Sequence, residues 1–190
     1  MKYLVACLGN IGLEYENTRH NVGFKVADTL AAAAGLSFST ERYGGVAECR
    51  HKGRTLILLK PSTYMNLSGK AVSYWLQAEK IPLERLLVVL DDINLPFERL
   101  RIRSGGSDGG HNGLKNIALM LESENYARLR CGVGSNFGKG QQIDFVLGEW
   151  TDDERTLLPS YLSRAADAVK SFATVGLERA MNIVNTAKQA

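Results

Sequence analysis

Gly9-Asn10-Ile11-Gly12-Leu13-Glu14-Tyr15-Glu16-Asn17-Thr18-Arg19-His20-Asn21-Val22-Gly23 packs turn-formers, amides, an aromatic ring and one histidine behind a short apolar run. That run, Tyr3 to Leu8, has no polar alternation and is ended by Gly-Asn, which reads as a buried strand. Beyond His20, Phe24, Val26, Ala27, Leu30 and Ala31 share one face at helical spacing and Gly35 follows the last turn, which predicts a helix. Strand, loop and helix in that order place His20 where open α/β sheets hold ligands. A histidine near a helix start often only packs or bonds locally, so a chemical role needs partners elsewhere in the chain.

Composition bounds the answer. The chain has 190 residues, 45% of them hydrophobic, and no Pro- or Ser-rich linker, so residues 1–190 are expected to form a single domain. The net charge is only +3, yet Arg99 to Gly140 holds seven Lys or Arg against three Asp or Glu. That local excess of four suits a polyanionic partner, although a solvated basic face looks the same from charge alone. Cys7, Cys49 and Cys131 are odd in number, far apart and set in apolar surroundings, as in a reduced cytoplasmic protein. No apolar run approaches the roughly 18 residues that span a bilayer, and the N-terminus enters a strand instead of a signal peptide.

Val46 to His51 and Arg54 to Lys60 read as a hairpin joined through Lys52-Gly53. The second arm ends in Lys60-Pro61-Ser62-Thr63-Tyr64-Met65-Asn66-Leu67-Ser68-Gly69, where Pro61 stops the strand and Ser68 is expected to cap a helix from about Gly69 to Glu79. Asn66, in a loop at the carboxyl end of a strand, can aim its amide at the crevice of His20 and orient an ester or peptide group. Leu86 to Leu90 is another apolar strand, and it runs into Asp91-Asp92. A carboxylate there can bind one ring nitrogen of His20 and leave the other basic. Neighbours in a strand face opposite ways, so only one of the two acids can serve, and parity does not say which. A metal is the usual rival for paired acids, but no matching His or Cys spacing accompanies them.

Arg99-Leu100-Arg101-Ile102-Arg103 alternates, which predicts a strand with three guanidinium groups along one exposed face. A glycine-rich loop follows and enters a helix at Asn112, the expected N-cap; its N–H groups and the helix start suit an anion. Gly105-Gly106-Ser107-Asp108-Gly109 mimics a serine-hydrolase elbow, but that fold needs a later histidine and none follows His111. Gly132 to Gly138 has the wrong spacing for a dinucleotide fingerprint, and there is no Walker A sequence. Ala127 to Val133 is expected to be a further strand whose Arg128 and Arg130 extend the basic edge. After a polar connection from Ser135 to Asp144, Thr151-Asp152-Asp153-Glu154 is a capping box for a helix to about Phe172, with a last helix from about Gly176.

Three stretches now stand together: Gly9-Asn10-x-Gly12-x-x-Tyr15-x-x-Thr18-Arg19-His20-Asn21-x-Gly23, Lys60-Pro61-x-Thr63-Tyr64-Met65-Asn66-x-Ser68-Gly69 and Gly109-Gly110-His111-Asn112-Gly113-Leu114-Lys115. In order, spacing and total length they resemble bacterial-type peptidyl-tRNA hydrolase across nearly the whole chain. The resemblance implies a monomeric, cytoplasmic α/β enzyme with a twisted, mixed and mostly parallel central sheet flanked by helices. It would cleave the ester between a peptide, or an N-blocked amino acid, and tRNA, without cofactor or metal. By motif position, His20 is the general base, Asp91 its supporting carboxylate, and Asn10 helps tell blocked from unblocked substrates. Tyr15, Tyr64, Asn66 and Asn112 correspond to substrate or tRNA contacts, Met65 and His111 line the same crevice, and Arg103 and Arg130 fall at tRNA-binding positions. The resemblance therefore settles Asp91 over Asp92.

Two positions depart from the pattern. Ile11 stands where the family has proline, loosening the turn after Asn10, and Glu98 where glycine is usual. A non-catalytic RNA-binding module on the same scaffold is the alternative, and it would have no need of His20, Asp91 and Asn10 together. Hydrolysis of a different small ester or amide is a third reading, which leaves the basic edge without a purpose.

Overall fold

The apolar run behind the histidine loop becomes the middle of the sheet. In a computed structural model describing residues 1–188, β1 (Lys2–Cys7) pairs in parallel with β4 (Arg54–Pro61) on one side and β5 (Leu86–Asp92) on the other. With β2 (Ser39–Glu41), β3 (Gly44–His51), β6 (Leu100–Arg103) and β7 (Ala127–Gly132) the sheet order is β2-β3-β4-β1-β5-β7-β6. Parallel pairing holds the centre, while β3 and β6 run antiparallel to their neighbours, so the sheet is mixed as expected.

Both faces are covered, which is why β1 reads as a continuous apolar run. Tyr3, Val5 and Cys7 enter one core, under α1 (Val22–Ala33), α5 (Asp152–Val175) and α6 (Leu177–Thr186). Leu4, Ala6 and Leu8 enter the other, under α2 (Ser68–Ala78) and α3 (Asn112–Leu121). Each buried Val or Leu contributes about 1.5–3 kcal/mol, so a polar residue in the buried run after the exposed Lys2 is strongly selected against by burial alone. The three cysteines are free and buried.

The hairpin turn uses Lys52 and Gly53 at φ 47° and 78°, the paired left-handed conformation that a two-residue connection requires. The Thr151 box closes as the spacing predicts: its hydroxyl accepts from Glu154 N–H at 3.2 Å and its own N–H donates to Glu154 Oε1 at 2.8 Å. Glu98, at the position expected to be glycine, does adopt φ 71°. Arg164 on α5 holds it there, donating to its carbonyl at 3.2 Å and its carboxylate at 3.1 Å.

Four expectations are corrected. Ser68 caps nothing; its hydroxyl donates backward to Met65 O at 2.7 Å, and the first-turn N–H of Gly69 donates instead to Asn116 Oδ1 of α3 at 2.7 Å. His111, not Asn112, is the N-cap of α3, because its imidazole accepts from Gly113 N–H while Asn112 is already helical. Across the end of the polar connection lies an unforeseen short helix, α4 (Gln142–Val146). Arg128 is 1% exposed and so adds nothing to an outer edge. It instead donates to the carbonyls of Gly106, Ser107, Glu124 and Tyr126 and holds the glycine-rich loop down.

Candidate active site

Close backbone approach sets the geometry. A β-carbon on Gly23 would lie 2.5 Å from Leu8 O and 2.8 Å from Val89 O, so only glycine lets α1 begin against the ends of β1 and β5. The 3-10 turn before it, Arg19–Asn21, then hangs His20 over the end of β5, where Asp91 sits. Asn21 fastens the loop to this point: its amide donates to Asn10 O and accepts from Asn10 N–H, both at 2.8 Å. The turn at Ile11 is therefore tied down by a side chain in place of a proline ring.

His20 Nδ1 lies 2.9 Å from both Asp91 oxygens. On the other side His111 Nε2 is 2.9 Å from Asp91 Oδ1, and the two imidazole centroids are 5.0 Å apart. The protons follow from the network. His111 Nδ1 accepts from Gly113 N–H at 3.1 Å, so Nε2 carries the hydrogen and donates to Asp91. Asp91 accepts from His20 Nδ1–H as well, which leaves His20 Nε2 as a lone pair with no partner among the described residues. Alternation along β5 turns Asp92 elsewhere, to Asn94 N–H at 2.8 Å and Arg130 at 3.4 Å.

Burial alone would lower the basicity of His20, but the charge of Asp91 and its hydrogen bond more than offset this and raise the pKa above 6.5. Burial would likewise raise the Asp91 carboxyl; the two imidazoles outweigh it and hold the group well below the usual carboxylate range. Asp91 is 4% exposed and stays ionised between them.

His20, Asp91 and His111 have the composition of a metal triad, with ligand atoms within 4.8 Å of one another. The donor set does not suit an ion. Metal at His111 Nε2 requires the proton at Nδ1, where it would face Gly113 N–H and break the cap of α3.

A cavity of about 320 Å³ opens in front of the pair. Asn10, His20, Met65, Asn66, Asp91, His111, Asn112 and Arg130 all line it, so eight of the eleven residues singled out from sequence converge there. Tyr15, Tyr64 and Arg103 do not line it; Tyr15 is half-buried, while Tyr64 and Arg103 are exposed. The Asn10 side-chain amide has no hydrogen-bond partner among the described residues. The far wall is α4 and the residue after it, through Gln142, Ile143, Val146 and Leu147, which sequence reading missed. Its signal was present: apolar residues at 143, 146 and 147 have helical spacing between glycines.

Register also locates the arginines. Arg101 faces Arg130 and Arg103 faces Arg128 across the β6–β7 ladder, so four guanidinium groups share one sheet face. Arg103 is exposed, Arg101 half-buried and Arg130 at the cavity, so three of the four remain accessible on that face and Arg130 is the one that reaches the cavity.

Fold and site together define an α/β protein with a mixed sheet and a carboxylate-held histidine at the rim of an open, partly basic cavity. The sequence matches the peptidyl-tRNA hydrolase family over residues 4–190, and the chain belongs to that family. It is 60% identical to the peptidyl-tRNA hydrolase of Cytophaga hutchinsonii over 188 residues, covering 99% of this chain and 100% of that one. It is 56% identical to that of Phocaeicola vulgatus over 185 residues, covering 97% and 99%. The crystal structure of peptidyl-tRNA hydrolase from Acinetobacter baumannii superposes with a TM-score of 0.91 at 33% identity, covering 99% of this chain and 96% of that chain. No helix among the described residues is long and apolar enough to cross a membrane.

Proposed function

We propose that this chain hydrolyses the ester joining a peptide, or an N-blocked amino acid, to the ribose of tRNA, acting as a cytoplasmic monomer without cofactor. The observation that carries the reading is the unpaired Nε2 of His20, on a ring whose Nδ1 is held 2.9 Å from both oxygens of Asp91 at the edge of the cavity. Such a nitrogen takes the proton of a water as that water attacks the ester carbonyl, and Asp91 stabilises the imidazolium that results. The proton then passes from His20 to the departing ribose oxygen. Asn10, with its amide unengaged, is placed to donate to the developing oxyanion or to meet the substrate's own amide. In that second role the Asn10 NH2 donates to the carbonyl of the substrate's amide; a free ammonium group has no acceptor and leaves the donor unpaired, which disfavours aminoacyl-tRNA.

Met65, Asn66, His111 and Asn112 would hold the acceptor end and the first residue of the peptide, with Tyr15 and Tyr64 as outer contacts. Arg103 and Arg130 would follow the phosphates. The test compares cleavage of N-acetyl-aminoacyl-tRNA and free aminoacyl-tRNA by the wild type and by His20→Ala. Cleavage of the blocked substrate alone is expected, with a loss of about 10²–10⁴-fold in the variant. Equal cleavage of both substrates removes the selectivity, and an undiminished His20→Ala rate removes the base.

A further inference from the structure

Helix α4 forms a wall of the cavity, yet none of its five residues is buried, and a helix of that length has no stability of its own. Something else must hold it. Arg19, the residue before the histidine, is 8% exposed and reaches across to this segment. Its guanidinium donates to Phe145 O at 3.2 Å, lies 4.2 Å over the Phe145 ring and 5.8 Å from that of Trp150, and pairs with Glu154 at 3.0 Å. Its backbone N–H donates to Gly148 O at 3.0 Å, and Thr18 bridges Glu149. Even a β-carbon on Gly148 would come within 3.2 Å of the guanidinium.

The other end of this arrangement is equally fixed. Glu154 Oε1, which receives Arg19, also accepts Thr151 N–H in the cap of α5. The ion pair is largely withdrawn from water, with side chains 9% and 17% exposed, so it is screened little by salt. A planar fork that can stack, donate to a carbonyl and pair with a carboxylate at once is a property of arginine and not of lysine.

We propose that Arg19 is a positioning residue: through Phe145, Gly148 and Glu154 it holds α4 against the His20 loop, and so fixes where Ile143, Val146 and Leu147 meet the substrate. It touches no reacting atom. The inference rests on the ester-hydrolysis reading, but one of its readouts does not depend on cleavage.

Arg19→Gln and Arg19→Lys are compared with wild type by steady-state kinetics on N-acetyl-aminoacyl-tRNA and by amide hydrogen exchange. Arg19→Gln is expected to raise KM about tenfold with kcat changed less than about threefold, and Arg19→Lys to rescue less than half of that. The acid limb of the kcat/KM profile should not move. Exchange at Phe145, Leu147 and Gly148 should quicken at least about tenfold while the β1 and β5 amides are unchanged. Uniform loss of protection, a fall in kcat alone, a shifted acid limb, or no change overturns the proposal. Should Arg19→Gln not fold, Glu154→Gln serves with the same readouts, since its amide oxygen can still accept Thr151 N–H; a KM rise of about threefold is expected, and none overturns the proposal. A wild type that cleaves neither substrate sinks the functional reading, and the exchange result still decides whether Arg19 holds α4.

Discussion

Asp91 presents both of its oxygens to His20 Nδ1 at 2.9 Å, so one buried carboxylate sets the orientation of the ring and its proton affinity together. The pKa of His20 is raised above 6.5, with burial working against the charge and hydrogen bond of Asp91. The proposed base works as the neutral ring, so on that proposal activity is expected to rise with pH through a midpoint above 6.5. Stability follows the opposite sign. A raised folded pKa contributes stability fully below the unfolded value and loses it as pH rises through the folded one. Activity should therefore increase across the same interval in which this contribution to Tm declines.

Asp91→Asn separates the two effects. Without the carboxylate only burial remains to shift His20, so the acid limb of kcat/KM should move to lower pH. The rate at its plateau should fall on the order of a hundredfold or more, because an amide does not stabilise the imidazolium. A pH–rate profile of the folded variant decides this; a limb left in place would mean that Asp91 does not govern the base.

Gly23 carries the position of the proposed base. Its missing β-carbon would stand 2.5–2.8 Å from Leu8 O, Leu8 N and Val89 O, all backbone atoms that cannot yield as a side chain does. Gly23→Ala is expected to cost about 1–3 kcal/mol by overpacking and to draw the start of α1 away from Asp91. Urea unfolding measures the first effect. The second should appear as a fall in kcat of more than about tenfold at a temperature where the variant is fully folded, since a small misplacement of a reacting group is costly.

The origin of these contacts explains how far the sequence could be read. The buried strands, the Lys52-Gly53 turn and the Thr151 box declare themselves through local periodicity and turn chemistry, and each appears in place. Convergence of the three motifs also follows, because strand ends of a parallel sheet bring their loops to one edge. What stayed hidden depends on partners distant in sequence. Arg128 looked like Arg103 by alternation, but the glycine-rich loop folds over the former and not the latter. Cap of α3 passed to His111 because its ring lies between Gly113 and Asp91, a relation no local pattern encodes. Asn21 reads as a motif letter and acts as the clamp on Asn10.

The two arginines facing each other across β6 and β7 should accordingly fail in different ways. Arg103→Ala removes an exposed charge; tRNA binding is expected to weaken and the slope of log K against log salt to fall by about one, with stability unchanged. Arg128→Met strips four carbonyls of a buried donor, and a loss of about 2–4 kcal/mol is expected from hydrogen bonds to a charged group. Its salt slope should stay at the wild-type value. Filter binding across a salt series together with thermal unfolding tests the pair, and matching salt slopes would remove Arg103 from the interface.

Asn10 and Asn21 offer a similar contrast inside the cavity. The Asn10 amide bonds nothing among the described residues, so Asn10→Ala should leave Tm within about 1 °C while lowering kcat by about a hundredfold, the cost of one oxyanion donor. Asn21 is 1% exposed and satisfies the backbone N–H and C=O of Asn10. Asn21→Ala leaves both groups unpaired, so it should cost about 1–3 kcal/mol and release the loop that presents Asn10. Its effect on kcat then passes through Asn10, and the double variant should be no slower than Asn10→Ala alone. A double-mutant cycle in kcat measures this directly. Multiplying effects would show that Asn21 acts on the reaction by a route other than the backbone it clamps.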